Sequence, residues 1–222
     1  MKKKKIFKNV IKVALIVIAI FIVIFAIHTI RNYIIILDLQ NKVSQYQESK
    51  NYNIKISSTQ DTGTIVKTDY YKKDNKQAVF MERNLNGEIS KISMYDNGER
   101  ADTFTETKDR KIVQLNTGTL ISVNIYNQLE TDNNWQTFLG SIIANIKSTN
   151  YEGKECYIIK GFLSSNSLTF EGAEIYIDKE TGLLVKTTEA GTVSEREYKF
   201  NEIDESVLEE PDISQYTLKE NN

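Results

Sequence analysis

The chain has 222 residues, 40% apolar and 26% charged, which are the proportions of a globular protein rather than a disordered one. One Cys and one His leave no disulfide framework, no Cys-based zinc site and no multi-His metal centre, and one Pro with 10 Gly excludes low-complexity architecture. Seven of the 28 basic residues and none of the 30 acidic ones precede Asp38, which leaves the remainder at −9. An acidic remainder without a basic patch argues against nucleic-acid binding.

Lys2, Lys3, Lys4, Lys5 and Lys8 open the chain, and Val13–Ile27 is an unbroken apolar run. With its flanks the stretch Val10–Ile30 has 21 residues, interrupted by Lys12, His28 and Thr29. As a helix it is roughly 30 Å long, the thickness of a bilayer core. A secretory signal has a shorter apolar region and a small-x-small cleavage site, and the residues after this run offer none. The expectation is an uncleaved anchor in the cell membrane, crossing once. The lysine excess predicts a cytoplasmic amino terminus and an extracytoplasmic remainder. His28 reads as an interfacial residue, since a proton relay needs partners inside the span.

Ile36, Leu39, Val43 and Tyr46 recur at helical spacing, so the helix is expected to continue past the membrane and pack on the exported domain. From Asn51 the period becomes two. Strands are expected at 52–57, 64–72, 77–83, 88–95, 101–107 and 111–115, joined by turn chemistry that includes Asn86-Gly87 and Asn97-Gly98, both read as type I′ turns. The segment 119–127 is ambiguous. Thr131 or Asp132 is then expected to cap an amphipathic helix reaching about Lys147, with Trp135, Phe138, Leu139, Ile142, Ile143 and Ile146 on one face. Strands are expected again at 155–162, 168–178, 183–189 and 194–203. The tail Val207–Tyr216, in which Pro211 stops regular structure, is expected to dock through Leu208, Ile213 and Tyr216.

The predicted class is therefore α+β: an N-terminal transmembrane helix followed by a curved antiparallel sheet, an incomplete β-barrel, packed on helices. The segments are a lysine-rich cytoplasmic tail (1–9), the transmembrane helix (10–30), a juxtamembrane amphipathic helix (31–50) and an extracytoplasmic half-barrel domain (51–222).

Catalytic signals are missing. The sole His lies at the far end of the expected membrane span, so no Ser-His or Cys-His pair can form in the exported part. Cys156 sits in a strand pattern and reads as a core residue. Glu209-Glu210, Glu171/Glu174 and Glu195/Glu197 read as solvated strand faces rather than acid/base pairs. Asp96-Asn97-Gly98-Glu99 lacks the ligand spacing of a calcium loop. The expectation is a non-enzyme without cofactor or metal. A curved sheet with a helix across it encloses either a filled core or an apolar hollow; the candidate lining residues are Met81, Met94, Trp135, Phe138, Ile142 and Tyr176.

The hairpin Tyr176-Ile-Asp-Lys-Glu-Thr-Gly-Leu-Leu-Val-Lys186, followed by Glu197-Tyr-Lys-Phe-Asn-Glu-Ile203 and a Glu210-Pro211-Asp212 tail, resembles the lipoprotein-carrier (LolA-type) superfamily and its Gram-positive envelope relatives. The resemblance implies an incomplete β-barrel wrapped around helices, whose hollow takes acyl chains in the carriers. A tethered chain does not shuttle between membranes, so the implied role is stationary: binding a lipid, lipoprotein or other apolar ligand. The alternative is a structural or sensing interaction subunit of an envelope complex, with a filled core and an isoleucine-rich Ile30–Leu37 stretch at its partner surface.

Overall fold

The computed structural model describes residues 2–115, 118, 129, 131, 133–162 and 173–219. The segment 119–127 and the start of the strand expected at 168–178 lie outside the described residues.

A single helix, α1 (Lys2–Gln47), runs from the lysine-rich end through the apolar stretch and on to Gln47. Six strands follow as a meander: β1 (Asn51–Gln60), β2 (Ile65–Lys73), β3 (Lys76–Leu85), β4 (Glu88–Asp96), β5 (Ala101–Glu106) and β6 (Lys111–Gln114). After the short helix α2 (Asn134–Ile143) a second meander is built from β7 (Asn145–Tyr151), β8 (Lys154–Lys160), β9 (Glu174–Asp178), β10 (Leu184–Glu189) and β11 (Thr192–Phe200). β12 (Thr217–Leu218) closes the described chain.

Both meanders belong to one open sheet, in the order β12-β6-β5-β4-β3-β2-β1-β11-β10-β9-β8-β7. They join at the centre, where β1 and β11 pair antiparallel from Tyr52↔Phe200 to Gln60↔Thr192. Every pairing is antiparallel except β12 on β6. The fold is α+β, an unclosed sheet around helices.

The hairpins follow turn chemistry. Asn86 and Gly87 both have positive φ (52° and 89°), as a type I′ turn requires, and Glu152-Gly153 and Ala190-Gly191 repeat the pattern. Asn97-Gly98 does not: only Gly98 has positive φ. There the connection is a four-residue loop closed by Asn97 N–H to the Arg100 carbonyl and by Asp96 Oδ1 accepting from Gly98 N–H.

The side chains buried on α1 are Thr29, Asn32, Ile36, Leu39 and Val43, a stripe at spacings of three and four. Ile36 and Leu39 pack with Ile146, Ile159, Ile175, Ile177 and Leu184 of β7–β10. Val43 packs with Tyr52, Ile54, Tyr70 and Leu183. The last third of α1 is thus the central core element of the sheet rather than a stalk beside it. The boundary drawn at residue 51 divides the chain but not the packing.

Two elements differ from the sequence reading. α2 is capped by Asn133, whose side chain accepts from Gln136 N–H at 3.0 Å, and ends at Ile143. The residues expected to continue it form β7, with Ile146 opposite Ile159. β-branched Ile146 is buried against α1 in the strand register, and that packing outweighs the helical periodicity.

On the other face of the sheet a smaller apolar cluster, Ala78, Tyr95, Phe104 and Val113, is covered by Leu208 and Tyr216 of the tail. The tail is held there by Lys219 N–H to the Val113 carbonyl (2.8 Å) and by the Tyr216 hydroxyl on the Glu106 carboxylate.

Candidate functional site

Register assigns every strand residue to a face. Residues directly opposite one another share a side, so Tyr198, Ile54, Tyr70, Val79 and Met94 face α1 together. Glu195, Ser57, Lys67 and Glu82 lie on the opposite side.

That opposite side is bent into a trough. Tyr151 of β7 hydrogen-bonds to Glu195 of β11, although β8, β9 and β10 lie between them. Four flat strand spacings amount to about 19 Å, more than the two side chains can reach, so the sheet must curl toward this face. A twisted sheet is saddle-shaped and hollow along one diagonal on each face. α1 fills one hollow, and the other remains open. Its volume is about 630 Å³, within the size range of small-molecule sites.

The trough walls carry charges of both signs: Lys55, Lys67 and Lys91 against Asp69, Glu82 and Glu195. Phe80 and Tyr151 add apolar surface. Lys91 pairs with Glu82 at 3.6 Å, and the Lys186 ammonium lies 4.8 Å from the Tyr151 ring centre and 5.5 Å from that of Tyr176. Burial, reinforced by the Glu195 carboxylate it bonds, pushes the Tyr151 phenol well above the ordinary tyrosine range. Tyr176 moves the same way, through burial and then its bond to Glu174. Both phenols therefore stay neutral donors at physiological pH.

The six candidate lining residues fall in three places. Met81 and Met94 are half-buried on adjacent strands of the α1 face, with Met81 also bordering the trough. Tyr176 is on the trough side, with Lys186, Tyr151 and Glu174. Trp135, Phe138 and Ile142 are on α2, away from both: Trp135 stacks on Phe138, whose ring meets Tyr33 of α1 edge-on at 5.9 Å. The trough itself was missed. Of its residues, Glu195 and Glu197 read as a solvated strand face and the lysines carried no signal, and only the bend of the sheet brings them together.

α2 is turned opposite to the expectation. Its buried residues are Thr137, Gly140 and Ser141, whereas Trp135, Leu139 and Ile143 are exposed. The physical reason is on α1. Fully buried Asn32 donates from Nδ2 to the carbonyls of Ala144 (2.6 Å) and Ser141 (3.2 Å), and lies 3.1 Å from His28 Nε2. The small face of α2 lets the backbone come close enough for these bonds, which satisfy carbonyls at the helix end.

Cys156 is fully buried on β8, and burial pushes its thiol pKa up. Among the described residues no group of three His, Cys, Asp or Glu side chains is placed to hold a metal ion.

No family model and no curated protein matches the chain. Among solved structures it is similar to an uncharacterized conserved protein from Thermus thermophilus, at 10% identity over 82% of this chain and 98% of that one, with a TM-score of 0.45. It is also similar to a LolA superfamily protein from Nitrosomonas europaea, at 11% identity over 78% of this chain and 96% of that one, with a TM-score of 0.25.

Proposed function

We propose that this is a single-pass, membrane-anchored protein of the bacterial envelope that works by binding rather than catalysis. Its domain stands on the outer side of the membrane, and its ligand is an amphiphile of the lipid or lipoprotein kind. The observation that carries the reading is α1. Its apolar run is exposed along its whole length, from Val13 to Ile27, while Ile36 and Leu39 on the same helix are at 0% exposure inside the sheet. An exposed apolar helix of this length calls for a bilayer. A helix without a break then transmits the position of the bilayer rigidly to the domain. The open trough, charged at its walls and aromatic within, suits a molecule with a polar and an apolar part.

The test is native mass spectrometry of the full chain, compared with the variant Lys55→Glu/Lys67→Glu. A lipid-sized mass present on the natural chain and absent from the variant supports a trough ligand. Lipid held only around α1 stays on both. A clean apo mass for both overturns the ligand, and moves the reading to an interaction subunit. That second reading draws on one observation: α1 packs into the sheet face where the hollow was expected.

A further inference from the structure

The ten residues of α2, Asn134–Ile143, include no charged side chain. Trp135, Leu139 and Ile143 follow one another at spacings of four and form a single stripe, 65%, 41% and 48% exposed. Phe138 and Ile142 flank that stripe, half-buried. A ten-residue helix that buries Thr, Gly and Ser while exposing Trp, Leu and Ile is inverted for an aqueous setting.

Its location supplies the missing partner. α2 is fastened to α1 at Asn32 and Tyr33, two and three residues beyond the end of the apolar stretch at Ile30. On α1 itself the side turned away from the domain stays apolar past that point, with Ile27, Ile30 and Ile34 at 63%, 55% and 59% exposure. Exposed Arg31 stands at the same level, where a cation meets lipid phosphate. The exposed stripe of α2 is therefore held at the level along α1 where the exposed apolar run ends, the depth at which the hydrocarbon core of a bilayer gives way to headgroups. Tryptophan favours that zone.

We infer that α2 is an interfacial membrane helix: its Trp135–Leu139–Ile143 face is embedded in the outer leaflet of the bilayer that α1 crosses, a second contact that fixes the tilt and rotation of the domain on the membrane. This rests on the reading of α1 as an anchor. The two contacts act as one unit, because Asn32 bonds α2 to the helix that spans. A lone transmembrane helix leaves its domain free to swivel, whereas a second wedge held rigidly to it does not. The bend of the sheet then presents the trough at a set angle to the lipid surface.

The protein contains one tryptophan, so its intrinsic fluorescence reports Trp135 alone. The full chain is reconstituted into phosphatidylethanolamine/phosphatidylglycerol vesicles, with and without lipids brominated near the head of the acyl chain. Flotation and resistance to alkaline carbonate extraction report α1 independently. The expected result is a chain that floats, a blue-shifted emission, quenching by the brominated lipid and little quenching by aqueous iodide. In Leu139→Gln/Ile143→Gln, which leaves α1 and Trp135 intact, bromolipid quenching falls at least severalfold while flotation is unchanged. A chain that floats, with Trp135 quenched by iodide and not by bromolipid, overturns the inference and leaves the anchor standing. Trp135 shielded from both quenchers overturns it in favour of a protein partner, and dependence of that shielding on protein density identifies a second copy. A chain that does not float overturns both readings.

Discussion

Replacing Leu39 with Ala tests whether α1 belongs to the core of the domain. Leu39 is at 0% exposure and packs among Ile36, Ile159, Ile177 and Leu184. Truncating a fully buried leucine costs about 3 kcal/mol, the sum of lost transfer energy and the residual cavity. The assay uses the single thiol. Cys156 is at 0% exposure, so alkylation requires opening of the sheet, and the reaction runs on the full chain. Where opening and closing are faster than alkylation, about 3 kcal/mol raises the labelling rate about 150-fold. Ile24→Ala is the control: Ile24 is on the same helix but 58% exposed in the apolar run, and labelling of Cys156 is expected to stay at the wild-type rate. Equal rates for Leu39→Ala and wild type, or equal acceleration by both variants, refute the assignment of α1 to the core. The same reasoning predicts that a fragment beginning at Asn51 does not fold. It lacks Ile36, Leu39 and Val43 and exposes the residues they cover; a cooperative unfolding transition in that fragment refutes this.

Gly182 has φ +73°, and a Cβ there would stand 2.5 Å from the Leu39 carbonyl oxygen and 3.0 Å from Val43 N. Gly182→Ala is therefore expected to cost about 3 kcal/mol from left-handed backbone and overpacking together, against about 1 kcal/mol for Gly87→Ala, whose added Cβ meets nothing within 4 Å; denaturation midpoints of the two variants check the ranking. Tyr216→Phe removes the hydroxyl that holds the Glu106 carboxyl below its ordinary value of 4.5, and is expected to loosen the tail by about 1 kcal/mol, read as faster hydrogen exchange at Thr217–Lys219. A depressed carboxylate pKa contributes stability that is present above 4.5 and lost as pH falls through the folded value, so the difference between wild type and variant shrinks on acidification. Glu210, raised by burial and by the Asp102 charge, titrates in the opposite sense in both proteins and cancels from that difference. At the trough, Lys186→Ala removes the cation beside the Tyr151 and Tyr176 rings and is expected to cost roughly 1 kcal/mol, with faster exchange at the 151–154 turn; unchanged exchange there would count against a contribution from Lys186.

Local chemistry made much of this protein legible in its sequence. The apolar run, the helical stripe Ile36–Leu39–Val43 and the change to period two at Asn51 each arise from neighbours a few residues apart, and each has its counterpart in α1 and β1. The hairpin turns are equally local, and Asn97-Gly98 shows the limit: the dipeptide permits a type I′ turn, but the four-residue loop held by Asp96 decides otherwise. The glycine of Asp178-Lys-Glu-Thr-Gly182 looks like any tight-turn glycine in sequence, yet its closest constraint is the backbone of α1, far away along the chain.

What only tertiary structure decided was which surfaces meet. Apolar periodicity located α2 but could not say which face is buried, because Asn32, distant in sequence, rewards close approach of the small face. The β1–β11 pairing that unites two meanders into one sheet spans the whole domain, and the sheet's accumulated twist makes the trough. Periodicity reports how a segment divides apolar from polar. It carries no record of partners brought together across more than a hundred residues, and the exposed face of α2 and the trough are both built from such encounters.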